Sequence, residues 1–411
     1  MQGLERLGVI QELSRKDSKW KHTDLFKILR KEDIWIAAYE TINSNTTIAI
    51  TKLRRLQFKV LDESYKFSQS VKPIPKTSND KIVQEVIRMI LEAIYEPIFD
   101  DQSFGFVHDA LQHVEREFRW MDWVIKSDIQ SASPTLDHNR LCEIITKRID
   151  DPRFMALIRK SLKSGRFLPI YVNIYFNELD KWVRQKASLS FESNSRYTRY
   201  SDDWIIGIRG PKHIATEIKN ELESFLKFHL IHPEKTKITN IRAGKVYFLG
   251  YYIFLPRNRK IGKYRFQIPV DQVIKRMKER GYISYDKNNK VRPISKASYT
   301  PLEDTLIVNH FRSVWLGLKN FYSGSSNRSH LQYIHYLLHI SCAMTLAHRH
   351  RSSVKKIMKK HGKRLEIMDK TVSPPKRITA FPYETKWKLA DRKWQCARPF
   401  VYIQTEFLNY V

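Results

Sequence analysis

Asp202 and Asp203 sit side by side in Arg199-Tyr200-Ser201-Asp202-Asp203-Trp204-Ile205-Ile206-Gly207-Ile208. Apolar residues flank the acidic pair, so the segment reads as two short strands around a tight turn. Carboxylates at a hairpin tip repel each other unless a cation neutralises them. Oxygen ligands suit Mg²⁺, and two such ions can stabilise the attacking and leaving oxygens of phosphoryl transfer. The plain alternative is a pair of solvated turn aspartates. A second chemistry lies between His348 and Arg377, where eleven Lys or Arg face only Glu366 and Asp369. So lopsided a run beside helical patterning reads as a phosphate-binding surface. His348 and His350 flank Arg349, but so sparse a ligand set does not read as a metal site.

The bulk composition agrees with the second chemistry. The chain has 411 residues, 73 Lys and Arg against 43 acids, and a formal charge of +30. That excess predicts a polyanionic partner, and the length suffices for two or three domains with proper cores. Nucleic acid comes ahead of an anionic membrane, because no apolar run reaches transmembrane length and 20 Tyr and 21 Phe offer stacking faces. Cys142, Cys342 and Cys396 are far apart, which suggests neither a disulfide framework nor a Cys-type zinc site and fits a reducing compartment. Met1 to Lys21 carries Glu5, Glu12 and Asp17 and has no apolar core, unlike a secretory signal or an acid-poor transit peptide.

Elements that could position these groups follow from periodicity. Asp33 to Thr41 reads as a helix and Val71 to Lys76 as an extended Pro-rich segment. Ser78, Asn79 and Asp80 offer caps for a helix carrying Ile82, Val83, Val86, Ile87, Ile90, Leu91 and Ile94 until Pro97. Trp123-Val124-Ile125 leads as a strand into Asp128, a helix follows Gly210-Pro211, and Val246 to Phe254 reads as one strand. Residues 256 to 298 look like a linker or basic ribbon. Thr300-Pro301-Leu302-Glu303 is a capping box that starts a helix with Ile307, Phe311, Val314, Trp315, Leu318 and Tyr322 on one face. A second helix starts near Asn327 or Ser329. Trp315, Phe321 and Tyr322 could stack on bases, although Trp315 and Phe321 fall on or beside the apolar stripe.

Taken in order, several segments carry a resemblance. Ile82-Val83-Gln84-Glu85 through Ile94-Tyr95-Glu96-Pro97-Ile98-Phe99, Phe104-Gly105-Phe106 with His108-Asp109-Ala110-Leu111, and Ser127-Asp128-Ile129 with Asp137-His138 come first. Asn173-Ile174-Tyr175-Phe176-Asn177-Glu178-Leu179-Asp180, Tyr200-Ser201-Asp202-Asp203, Glu234-Lys235-Thr236 and Phe248-Leu249-Gly250-Tyr251 follow. Then come Gly317-Leu318-Lys319-Asn320-Phe321-Tyr322, Asn327-Arg328, Ser341-Cys342-Ala343 and Thr345-Leu346-Ala347. Each string is weak alone, but their shared order resembles the reverse transcriptase/maturases encoded by group II introns. That resemblance implies an α+β right-hand fingers and palm followed by an all-α thumb, or maturase domain X. Its expected limits are 1–75 for basic fingers, 76–255 for the palm, 256–298 for a linker, 299–370 for the helical domain and 371–411 for a basic tail. It implies that Asp128, Asp202 and Asp203 form the catalytic, Mg²⁺-binding trio.

The departures from the family matter equally. Ala132, Ser133 and Pro134 stand where the family has an aromatic pair and an acid. The Gly-Thr-Pro-Gln-Gly-Gly segment before the palm helix is reduced to Gly165-Arg166-Phe167. The block supplying a triphosphate-contacting Arg collapses into Thr77-Ser78-Asn79-Asp80, the Arg-Pro-Gly-Arg-Ser run after Phe106 is missing, and a Gly-Val-Asp-Gly turn near Ile50 is absent. The endonuclease region is not expected after Pro374-Pro375. These losses strike triphosphate and template loops, so polymerisation is expected to be weak or lost. The expected function is then intron maturase, a binder of intron or precursor RNA that assists folding and splicing. Expected phosphate contacts are Lys52, Arg54, Arg55, Lys72 and Lys76, with Arg349, Arg351, Lys355, Lys356, Lys359, Lys360, Lys363 and Arg364. No membrane is expected as partner, and no small molecule except dNTP if polymerase activity survives. The rival readings are an active RNA-directed DNA polymerase and a relic that binds RNA without a splicing role. A Lys-, Ile- and Asn-leaning composition points to a plastid ahead of a mitochondrion, with a bacterial cytoplasm as third option.

Overall fold

The computed structural model describes residues 2–42, 50–68, 78–128, 136–164, 168–186, 195–229, 235–256, 264–369 and 376–382. Two compact units emerge, Met1–Gly105 with Ile125–Ile238, and Phe106–Val124 with Thr239–Tyr410. The expected extended segment Val71 to Lys76 lies outside the described residues, as does the tail beyond Pro382.

In the first unit, helices α1 (Gly3–Lys16), α2 (Glu32–Ile42), α3 (Ile50–Leu61) and α4 (Ser78–Tyr95) lead the chain. Asp33 of α2 accepts from the Gly3 and Leu4 amides at 3.0 and 2.8 Å, which satisfies two orphan donors at the start of α1. The apolar stripe of α4 is buried from Ile82 to Ile94, as its period requires. After α5 (Val107–Glu117, in the second unit) come α6 (His138–Thr146), α7 (Pro152–Lys163), α8 (Pro169–Lys186) and α9 (Lys212–Phe228). Asp137 and Asp151 cap α6 and α7 by accepting from the Arg140 and Phe154 amides.

Strands β1 (Trp123–Asp128), β2 (Ser195–Tyr200), β3 (Asp203–Ile208) and β4 (Lys235–Asn240) form one sheet in the order β2-β3-β1-β4. The hairpin of β2 and β3 runs in antiparallel register from Ser195 opposite Ile208 to Tyr200 opposite Asp203. Beyond Asp203 every residue of β3 is buried, the continuous apolar run of an interior strand.

The second unit departs from the sequence reading in three places. Val246 to Phe254 is a hairpin of β5 (Val246–Phe248) and β6 (Tyr251–Phe254), extended by β7 (Arg265–Gln267). Leu249 and Gly250 take φ of 47° and 79°, two left-handed residues in succession that reverse the chain. Apolar burial continues through this turn, which hid it from a hydrophobicity pattern. Residues 264–298 of the expected linker fold as well, into β7, α10 (Val270–Glu279), β8 (Ile283–Tyr285) and β9 (Val291–Pro293). The capping box fails as a start signal: α11 (Asp304–Phe321) begins after Glu303, which is the N-cap and makes no side-chain cap bond.

Helices α12 (Leu331–Arg349) and α13 (Val354–His361) and the ladder of β10 (Ile367–Asp369) with β11 (Lys376–Thr379) complete the unit. The α11 and α12 stripes bury Ile307, Phe311, Val314 and Leu318 with Leu331, Ile334 and Leu338. Trp315 is fully buried, edge-on to His335 at 4.7 Å between ring centroids. Phe321 and Tyr322 are buried too, so none of these three rings is offered to a base. No helix among the described residues is long and apolar enough to cross a membrane.

Candidate functional site

The acidic turn is built from inside the protein. Ser201 and Asp202 are the two residues between the strands, and Ser201 takes φ of 56°, a left-handed conformation that non-glycine residues rarely hold without support. Arg199, with no exposed surface, supplies that support by donating from Nη1 to the Ser201 carbonyl at 2.8 Å. Its Nε and Nη2 grip the two Asp180 oxygens of α8 at 2.8 and 2.6 Å, and Nη1 also reaches Asn173 Oδ1 at 3.1 Å. Tyr197 Oη donates to Asp180 Oδ1 at 2.8 Å. Burial works against charge on Arg199, yet the Asp180 carboxylate outweighs it and raises the guanidinium pKa. Burial first, and Asp180 next, push the Tyr197 phenol far up, so it stays a donor. Sequence reasoning quoted Asp180 and Arg199 as motif members but missed their pairing. The signal was a charge in a strand two residues from Tyr197 and therefore on its face.

Asp203 opens β3, and its Oδ1 lies 3.1 Å from Nζ of Lys126 on β1, both side chains being largely enclosed. Lys126 therefore meets the repulsion expected of the paired carboxylates, and was also missed. Asp128 is the last residue of β1, whose neighbour in the sheet is β3; its side chain lies outside the described residues. The backbone thus brings the β1 segment carrying Asp128 beside the Asp202-Asp203 turn. Among the described residues no group of three or more His, Cys, Asp or Glu side chains is arranged to hold a metal ion.

Two surfaces of the chain are basic. On α3, Lys52, Arg54, Arg55 and Lys59 are exposed while Leu53, Leu56 and Val60 are buried. Arg54 is engaged with Glu32 through two bonds of 2.8 and 3.1 Å. Lys52, Arg55 and Lys59, spaced three and four apart and so on one helix face, line a cavity of about 640 Å³ with Lys66, Tyr65, Ser68 and Asp80. Asp80, expected as a helix cap, accepts from Tyr65 Oη and Ser68 Oγ at 2.5 Å each and ties the preceding chain to α4. Lys59 and Lys66 were not foreseen; Lys72 and Lys76 lie outside the described residues.

The other surface is α13. Lys355, Lys356, Lys359 and Lys360 are exposed around a single buried residue, Ile357, and exposed Lys363 and Arg364 follow. Ser353 caps the helix by accepting from the Lys356 amide, and His339 of α12 bonds the Lys363 carbonyl at 2.8 Å. Lys359 and Lys360 suit the helix C-terminus, whereas Lys355 and Lys356 crowd positive charge onto the positive end of the dipole. Local stability does not account for that placement. Arg351 is exposed, but Arg349 is half-buried, with Nε 3.0 Å from Asp304 and Nη1 donating to the Thr300 carbonyl. Of the histidines, His350 pairs with Asp304 and His348 with Ser295.

Two family models match successive parts of the chain. Residues 64–253 match the model "Reverse transcriptase (RNA-dependent DNA polymerase)", and residues 261–397 match "Type II intron maturase". The chain is similar to an "Uncharacterized 91 kDa protein in cob intron" of Schizosaccharomyces pombe, 26% identical over 93% of this chain and 62% of that protein. It is 26% identical to the "Group II intron-encoded protein LtrA" of Lactococcus lactis over 81% of this chain and 76% of LtrA. "Maturase K" of Chaetosphaeridium globosum is 28% identical over 56% of this chain and 50% of its own length. The chain thus spans about three fifths of the first of these relatives and three quarters of the second.

Proposed function

We propose that this chain, which belongs to the group II intron-encoded reverse transcriptase/maturase family, is an intron maturase that acts by binding RNA rather than by polymerising on it. The observation that carries this reading is α13, where four lysines are exposed and two of them, Lys355 and Lys356, oppose the dipole of the helix that bears them. Phosphates would relieve that repulsion. Each lysine that neutralises a phosphate releases a counterion, so binding is strong and falls with salt. The protein favours splicing by binding the active intron fold in preference to its competitors, which shifts that folding equilibrium without any bond being made by the protein. The basic groove on α3 provides a second set of contacts.

The rival reading is an RNA-directed DNA polymerase using Asp128, Asp202 and Asp203 with Mg²⁺ and dNTP. Its support is the Arg199-Asp180 brace, which keeps the acidic turn in one shape. Against it stand the Lys126-Asp203 pair and the missing nucleotide loops. Relatives named for introns of different sources support an organellar or bacterial address and give no preference for a plastid. Primer extension on an RNA template with Mg²⁺ separates the two functions. No incorporation, together with tight intron binding, supports the maturase; incorporation abolished by Asp202→Ala selects the polymerase.

A further inference from the structure

Three tyrosines point outward on the helical unit. Tyr333 and Tyr336 stand one turn apart on α12, 43% and 53% exposed, and Tyr285 at the end of β8 is 37% exposed. These are high values for rings in a unit that buries Tyr251, Tyr264, Tyr282 and Tyr322 almost completely. The three are neighbours. Strand β9 packs on α12, and the chain after it is fastened there by Ser341 Oγ donating to the Ile294 carbonyl and the Lys296 amide donating to Thr345 Oγ1. Partial burial, then the nearby Tyr336 and Tyr285 hydroxyls, raise the Tyr333 phenol pKa.

The surroundings are cationic. Lys278 places Nζ 4.7 Å from the centre of the Tyr285 ring, and Lys287 and Lys290 are exposed on the β8-β9 turn. Asp286, the acid in that turn, is occupied: it accepts from the Asn288 and Lys290 amides and pairs with Arg292 at 2.9 Å. Exposed aromatic rings beside lysines that can follow a backbone are what single-stranded nucleic acid binds. A duplex keeps its bases stacked and cannot use such rings.

We infer that Tyr333, Tyr336 and Tyr285, with Lys278, form a stacking platform for unpaired bases of RNA. The inference rests on the RNA-binding reading above and adds to it a site that reads single-stranded segments. The phosphates beside the stacked bases are met by Lys278, Lys287 and Lys290.

The test measures binding of the full chain to a uridine oligomer of roughly 12 nucleotides, to a duplex of equal length and to intron RNA, at near-physiological salt. Alanine suits a helix surface, so Tyr333→Ala/Tyr336→Ala is expected to fold. It should bind the oligomer roughly tenfold more weakly and the duplex unchanged, while Tyr333→Phe/Tyr336→Phe binds like wild type because the ring and not the hydroxyl does the stacking. The platform is overturned if the alanine pair binds the oligomer like wild type, or if the phenylalanine pair is as weak as the alanine pair. In either case intron binding that still depends on Lys355 and Lys356 leaves the maturase reading standing. If wild type binds none of the RNAs, both fall together.

Discussion

The acidic turn and helix α13 carry their charges in opposite ways. Around the turn, charge faces inward: Arg199 and Asp180 are sealed in the core and meet each other, Tyr197, Asn173 and the Ser201 carbonyl. On α13, charge faces outward, and the lysines have the helix dipole partly against them. A turn held by a buried network keeps its shape for structural reasons alone, so its survival says little about catalysis. A strained display of surface charge has no such internal reason. The contrast separates the most recognisable motif of this chain from the surface proposed above to bind RNA.

The strongest way to break the contrast is to open the buried network. Arg199→Met or Asp180→Asn leaves one charge or its polar partners stranded and should cost about 3–5 kcal/mol of unit stability, read by denaturant unfolding. Arg199→Met/Asp180→Leu removes both and should recover much of that loss; an equally unstable double variant would show that the network does more than pair.

Acid offers the next largest effect. Burial, with Lys296 second, lowers His310 to about 3; burial, with His335 second, lowers His339 to about 4. Both are neutral in the fold and take up protons on unfolding below about pH 6.5. Their contribution is therefore complete above that value and lost progressively as pH falls from there through about 4 and 3, by about 2 kcal/mol per histidine at pH 5. Thermal unfolding against pH should show the second unit weakening across this window; a flat profile would place these rings elsewhere.

Smaller in energy is the outward surface. Lys355→Gln, Lys356→Gln, Lys359→Gln and Lys360→Gln together should weaken intron RNA binding by roughly tenfold or more and flatten its salt dependence, by about 0.7 in log–log slope for each phosphate no longer neutralised. Stability should hold or rise slightly, since the first-turn repulsion is relieved. Smallest is Asp202→Ala, which leaves the enclosed Lys126-Asp203 pair intact and is expected to move stability by no more than about 0.5 kcal/mol. A larger loss would mean that Asp202 also helps to hold the turn.

Legibility in the sequence followed local rules. The α4 stripe, the strand into Asp128, the hairpin of β2 and β3 and the burial of Trp315 were readable because period and turn chemistry act over a few residues. The Leu249-Gly250 turn was hidden because it is as buried as the strands it joins. The 264–298 region read as linker because its strands are short and are held by pairing and packing, β7 on β6, β8 on β9 and β9 on α12. The capping box misled because Thr300 spends its hydroxyl on the Ala297 carbonyl of a preceding turn. At the site, the acids were legible as a motif, while the Arg199-Asp180 and Lys126-Asp203 pairings were not, since pairs across α8, β1, β2 and β3 are set by tertiary contact.

The central claim is that RNA binding, not the acidic turn, carries the function. The direct test is intron splicing at near-physiological salt, comparing wild type with Asp202→Ala/Asp203→Ala and with the four-lysine variant of α13. Splicing that persists without the acids and fails without the lysines is the predicted result. Splicing that needs the acids and tolerates loss of the lysines would contradict it.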